Sequence, residues 1–69
     1  MKIYTNIEDK FLELEEISFL IDDIDELVKL NAFIATCIDN IKCNDEFNHE
    51  HFSDFFVKDN LPEIIVCKG

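Results

Sequence analysis

Residues 7–30, IEDKFLELEEISFLIDDIDELVKL, contain no Gly and no Pro; in the whole chain Gly stands only at position 69 and Pro only at position 62. With no strong breaker over the first sixty residues, the chain reads as mostly helical. At about 100° per residue, Leu14, Ile17, Ile21, Ile24 and Val28 fall on one apolar stripe, which Leu20 and Leu27 widen along one edge. Thr5 or Asn6 then caps a first helix that starts near residue 7. Its opening turn carries Glu8 and Asp9, both suited to the positive end of a helix dipole.

Away from that stripe, Glu8, Glu15, Asp22 and Glu26 fall close to a single line, with Asp23 and Asp25 at its flanks. Like charges three or four residues apart destabilise an isolated helix by about 0.2–0.5 kcal/mol per pair, so helix propensity does not account for this ridge. At 1.5 Å rise per residue, residues 15, 22 and 26 stand about 10 Å and about 6 Å apart. A row of carboxylates at that interval imitates the phosphate row of a nucleic-acid strand. Glu8, Glu15, Asp22, Asp23, Asp25 and Glu26 are therefore the candidate partner-binding residues.

Outward from the first helix the pattern shifts. Leu12, Phe19 and Leu30 lie off the stripe, and after Leu30 the apolar set moves around the axis to Phe33, Ile34, Cys37, Ile38 and Ile41. That shift predicts a break near Asn31, which would cap a second helix from Ala32 to about Lys42. Asn44 and Asp45 open a last helix from about 45 to 58, with Phe52, Phe55 and Phe56 on one face and Lys58 in the final turn. Asp59 to Pro62 form a turn, because proline disfavours helix at the residue before it. The tail EIIVCK (63–68) is rich in β-branched residues and pairs with residues 2–5. The expected fold is mostly α: one domain over residues 1–69, a compact bundle of three helices with a short terminal two-stranded β-ribbon as a minor element.

Sixteen Asp and Glu face six Lys and no Arg, a formal net charge of −10, while 48% of residues are hydrophobic and seven are Phe. That apolar content belongs to a chain that folds, not to a disordered acidic tract. Its charge attracts basic surfaces and repels nucleic acid and anionic lipid. Three cysteines, Cys37, Cys43 and Cys67, together with an N-terminus lacking a secretory apolar core, point to the cytoplasm, with each thiol reduced and buried as a small hydrophobe. No apolar run exceeds four residues, so no membrane span is expected.

Catalytic patterns are weak. His49 and His51 flank Glu50, but on a helix residues two apart point about 200° from each other, so a shared metal ion is not expected. Asp22 with Glu26, or Glu15 with Asp22, look solvent-facing, without the contrasting environments an acid–base pair needs. Cys43, Ser18 and Ser53 have no well-placed base, and with no internal Gly and no Arg nothing cradles or clamps a phosphate. Neither an enzyme nor a cofactor is expected.

Small, acidic, free of Arg and apolar enough to fold, the chain is similar in general character to phage and mobile-element inhibitors of host defence, including anti-CRISPR and anti-restriction proteins that mimic nucleic acid. The likeness is one of composition and assigns no residue a role. It implies an inhibitor that binds a basic, nucleic-acid-binding protein and does not itself bind DNA or RNA. The alternative is a small helical adaptor, regulatory or dimerisation module. It would bind through Leu12, Phe19, Leu30 and the Phe-rich last helix, a homodimer included.

Overall fold

A computed structural model describes residues 1–56 and 61–68. In chain order the elements are β1 (Ile3–Ile7), β2 (Lys10–Leu14), α1 (Ile24–Cys43), β3 (His49–His51), a 3₁₀ turn (Phe52–Asp54) and β4 (Ile65–Cys67). Among the described residues the fold is a small α+β arrangement of one helix and two separate two-stranded antiparallel sheets, β1–β2 and β3–β4. The three-helix bundle is thereby overturned.

The first correction falls on the stretch that seemed to decide the fold. Residues 3–14 form a hairpin in which Ile3 faces Leu14, Thr5 faces Leu12 and Ile7 faces Lys10. Its two-residue turn is Glu8-Asp9, with φ of 51° and 63°. Two successive left-handed residues give the turn geometry whose twist matches that of the flanking strands. Residues alternate between faces: Ile3, Thr5 and Leu14 are half-buried, while Tyr4 and Phe11 on the other side are exposed. The apolar positions at 3, 7, 12 and 14 thus obey a period of two around a turn, and the apparent helical period through Leu14 is incidental.

Residues 15–23 have no regular structure, and the helix begins at Ile24, seventeen residues later than expected. What starts it is a capping box. The Asp23 side chain accepts from the Asp25 N–H at 2.9 Å, and Glu26 Oε1 accepts from the N–H groups of Asp23 at 3.0 Å and Asp22 at 2.9 Å. From there the helix runs unbroken to Cys43, through Asn31. The predicted break fails because the apolar set does not change face. Two apolar faces coexist, one inward around Phe33 and Cys37 and one outward. Thr36 Oγ1 donates back to the Ala32 carbonyl at 3.0 Å, a bond that leaves the helix intact. At the C-terminus the Asn44 N–H reaches the Asn40 carbonyl, and Lys42 sits in the last turn.

The expected helix over 45–58 is also replaced. Within it, β3 pairs with β4 in the register His49↔Cys67, Glu50↔Val66 and His51↔Ile65, and the chain then tightens into the 3₁₀ turn. The tail does form a strand, but its partner is His49–His51 and not residues 2–5. Bonds from Lys68 N to the Asn48 carbonyl (3.0 Å) and from Phe52 N to the Ile64 carbonyl (2.8 Å) extend the ribbon at both ends. The expected helix end at Lys58 and the turn at Asp59 and Asn60 lie outside the described residues.

Instead of lining a helix of their own, Phe52 and Phe55 pack on one helical side chain, Phe33, and Phe56 packs on Phe52. The Phe33 ring lies 5.2 Å from Phe52 and 5.5 Å from Phe55, and Phe52 lies 5.3 Å from Phe56, all in tilted or edge-on contacts. Leu30, Leu61, Ile64 and Val66 pack around Phe33, Cys37 and Phe52. Truncating a buried Phe costs about 3–5 kcal/mol, and a chain of this length has in all only about 3–10 kcal/mol of stability, so Phe33 is the keystone.

The core is thin for the chain. Among the described residues only Phe33, Cys37, Phe47 and Phe52 are buried. The accessible surface is 6101 Å², against about 4,500 Å² for a compact monomer of 8.1 kDa. The radius of gyration is 13.0 Å, against roughly 11 Å for a compact chain of 69 residues.

Candidate functional site

The six acidic candidates do not form a helical ridge. Glu8 stands in the left-handed turn of the hairpin, Glu15 in the bend after β2, and Asp22, Asp23, Asp25 and Glu26 around the start of α1. Only the last four are brought together, and three of them have local work. Asp23 and Glu26 cap the helix, and Asp25 Oδ2 meets Lys29 Nζ at 3.1 Å, one turn on. The carboxylates of Glu8, Glu15 and Asp22 are exposed and bonded to nothing among the described residues. The even carboxylate spacing along a rod is gone, because residues 7–23 are not helical.

Charge at the helix start therefore divides by role. A capping signature, Asp-x-x-Glu at 23–26, stood in the sequence immediately before an apolar run, and it explains two of the six acidic residues without a partner. Lys29 is further tied into the core region, its ammonium 5.8 Å from the centre of the Phe56 ring.

A second polar cluster went unnoticed in the sequence. Glu63, just after Pro62, accepts from the Ser53 hydroxyl at 2.5 Å and from the Ser53 N–H at 3.1 Å, and its Oε2 lies 3.3 Å from His51 Nδ1. The Ser53 side-chain bond is the main reason its carboxyl is held down to about 2, with the Ser53 N–H next and weaker help from His51 and the Ile64 N–H; desolvation opposes them. Serine and histidine converge on one carboxylate, and the serine hydroxyl donates to Glu63, not to a histidine base. The arrangement ties the 3₁₀ turn to the segment entering β4. No short-range pattern announces it, since Ser53 and Glu63 are ten residues apart.

His49 and His51 are in a strand, not on a helix, so they share a face, with rings 5.0 Å apart and edge-on, and Cys67 stands opposite His49. The premise that kept the two rings apart is corrected, yet no group of three His, Cys, Asp or Glu among the described residues is placed to hold a metal ion. Of the thiols expected to be buried, only Cys37 is; Cys43 and Cys67 are exposed. Burial, and secondarily the charge of Glu50, push the Cys37 thiol up and make it a poor nucleophile.

Apolar residues are exposed in two places. Residues 17–21 border an open groove with Leu30, Phe52, Leu61 and Ile64, in which Leu20 is nearly fully exposed. The outward face of α1 is the other. Leu12, Phe19 and Leu30, grouped in the sequence as one patch, fall on the hairpin, on the irregular segment and against the core respectively. No helix among the described residues is long and apolar enough to cross a membrane. Comparison with known proteins finds no matching family model, no matching curated protein and no matching solved structure.

Proposed function

We propose that the chain works without catalysis, in the cytoplasm, as an inhibitor of the anti-CRISPR or anti-restriction kind. It binds a basic, nucleic-acid-handling protein over the Lys/Arg surface that would otherwise hold phosphate. The observation that carries this reading is the net charge of −10 with no Arg in the chain. A potential of that size on an 8.1 kDa body steers a basic partner inward and speeds association.

Support also comes from the carboxylates that the fold leaves unengaged. The carboxylates of Glu8 on the hairpin turn, Glu15 after β2 and Asp22 before the helix make no bond among the described residues that a partner would have to break. Asp23 and Glu26 are poorer contacts, because a partner's cation would compete with the helix cap.

The test is capture on the immobilised chain at low and at high salt. A Lys/Arg-rich nucleic-acid-binding protein should be held at low salt and released at high salt, and its nucleic-acid binding or cleavage should fall as the chain is added. The variant E8K/E15K/D22K should associate about 10–1,000-fold more slowly, with its circular dichroism unchanged. Equal association of wild type and variant would remove the carboxylates from the interface.

A further inference from the structure

The outward face of α1 carries Ile24, Leu27, Val28, Asn31, Ile34 and Ile38. At about 100° per residue these six fall within an arc of about 120°, on the side away from Phe33 and Cys37. The five apolar members keep between 45% and 76% of their surface exposed. Residues 24, 27, 31, 34 and 38 are spaced by three and four in alternation, the seam of a helix that packs along its length against another helix. Asn31, which looked like a cap in the sequence, is the one polar position of that seam.

We propose that this face pairs with the same face of a second copy, in an antiparallel two-helix seam. Area is the first argument. The chain exposes roughly 1,600 Å² more than a compact monomer of its mass, and a standard interface needs about 800 Å² from each partner. A rigid helix of 20 residues offers a contact about 30 Å long. The seam is also self-complementary, as a two-fold interface requires, and a lone seam Asn is a known device for fixing register.

Charge chooses the direction. The start of the helix is acidic, with Asp22, Asp23, Asp25 and Glu26, whereas Lys42 occupies its last turn. A parallel pair would set two acidic ends side by side. The antiparallel pair sets Lys42 of each copy beside the acidic end of the other and aligns opposite helix dipoles.

This seam does not use the carboxylates of the proposed inhibitor, and its response to salt has the opposite sign. Two copies each bearing −10 repel, so added salt tightens the pair, whereas it loosens any complex with a basic partner. Sedimentation equilibrium of the full chain at micromolar concentration decides the matter. A mass of about 16 kDa is expected, twice the 8.1 kDa of one chain, with dissociation on dilution and on lowering the salt. L27E/I34E, at two positions already exposed in one copy, should sediment as a monomer with unchanged helical circular dichroism. K42E should weaken the pair about tenfold or more while K2E, the same change of charge elsewhere, leaves it alone. A wild-type chain that stays at 8.1 kDa in high salt overturns the pairing outright. A dimer indifferent to L27E/I34E overturns this face, and one indifferent to K42E overturns the direction.

Discussion

Glu63 ties the 3₁₀ turn to the segment entering β4 by one carboxylate. It binds the hydroxyl and the N–H of Ser53 and approaches His51, so three atoms on the β3 side of the chain depend on a residue just before β4. Its folded carboxyl titrates at about 2, below its ordinary 4.5. A carboxyl depressed by folding stabilises above the ordinary value, and that contribution disappears as the pH falls from 4.5 toward 2. Urea unfolding of wild type and E63Q across this range should give two curves that lie farthest apart above pH 5 and converge toward pH 2. A constant separation would mean that the charge of Glu63 plays no part and that only its shape matters.

Between the hairpin and the helix lies the lesson about what the sequence can express. The capping box at 23–26 stands in the sequence but is absorbed into a helix expected to start near residue 7, whereas the β-branched tail reads as a strand and is one, with a different partner. The hairpin was hidden by its turn. Asn-Gly or Asp-Gly would have announced two left-handed residues, but Glu8-Asp9 carries no such mark and reads more easily as the first turn of a helix. Strand His49–His51 was hidden for another reason, since three residues set no period and its partner arrives from 65–67. All six acidic candidates fall on one expected helix, and four of them, Glu8, Glu15, Asp22 and Asp23, precede the helix that forms, so the site changed with the fold. The turn itself gives the measurement. A non-Gly residue held at positive φ costs of order 1 kcal/mol, so E8N/D9G should raise stability to denaturant by about 1–2 kcal/mol with the register Ile7↔Lys10 retained. A loss of stability would show that Glu8 and Asp9 make contacts worth more than the strain they carry.

Across the whole molecule, charge and a thin core oppose each other. The net charge of −10 is spread over a body of 36 × 28 × 20 Å. The screening length is about 30 Å at 0.01 M salt and about 10 Å at 0.1 M, so at low salt nearly every carboxylate repels every other, and at moderate salt only neighbours do. The denaturation midpoint should therefore climb between those two salt concentrations and then level off, measured in dilute protein where the midpoint no longer varies with concentration. Neutralising single carboxylates separates general repulsion from local bonding. E8Q, E15Q and D22N remove charges that bond to nothing among the described residues, so each should raise the low-salt midpoint and flatten the salt curve. E26Q removes an identical charge from the carboxylate that accepts two N–H groups at the helix start. Its midpoint should fall, by the equivalent of about 1 kcal/mol for a weakened cap, because a neutral amide oxygen accepts the same two N–H groups less strongly and gives up the attraction to the helix dipole, a loss that outweighs the relieved repulsion. If all four substitutions stabilise alike, the capping box adds nothing and the acidic start of α1 is mere charge. If Glu26 alone reverses sign, then among the six acidic candidates the charge at Glu26 serves the helix start, and those at Glu8, Glu15 and Asp22 cost the fold stability.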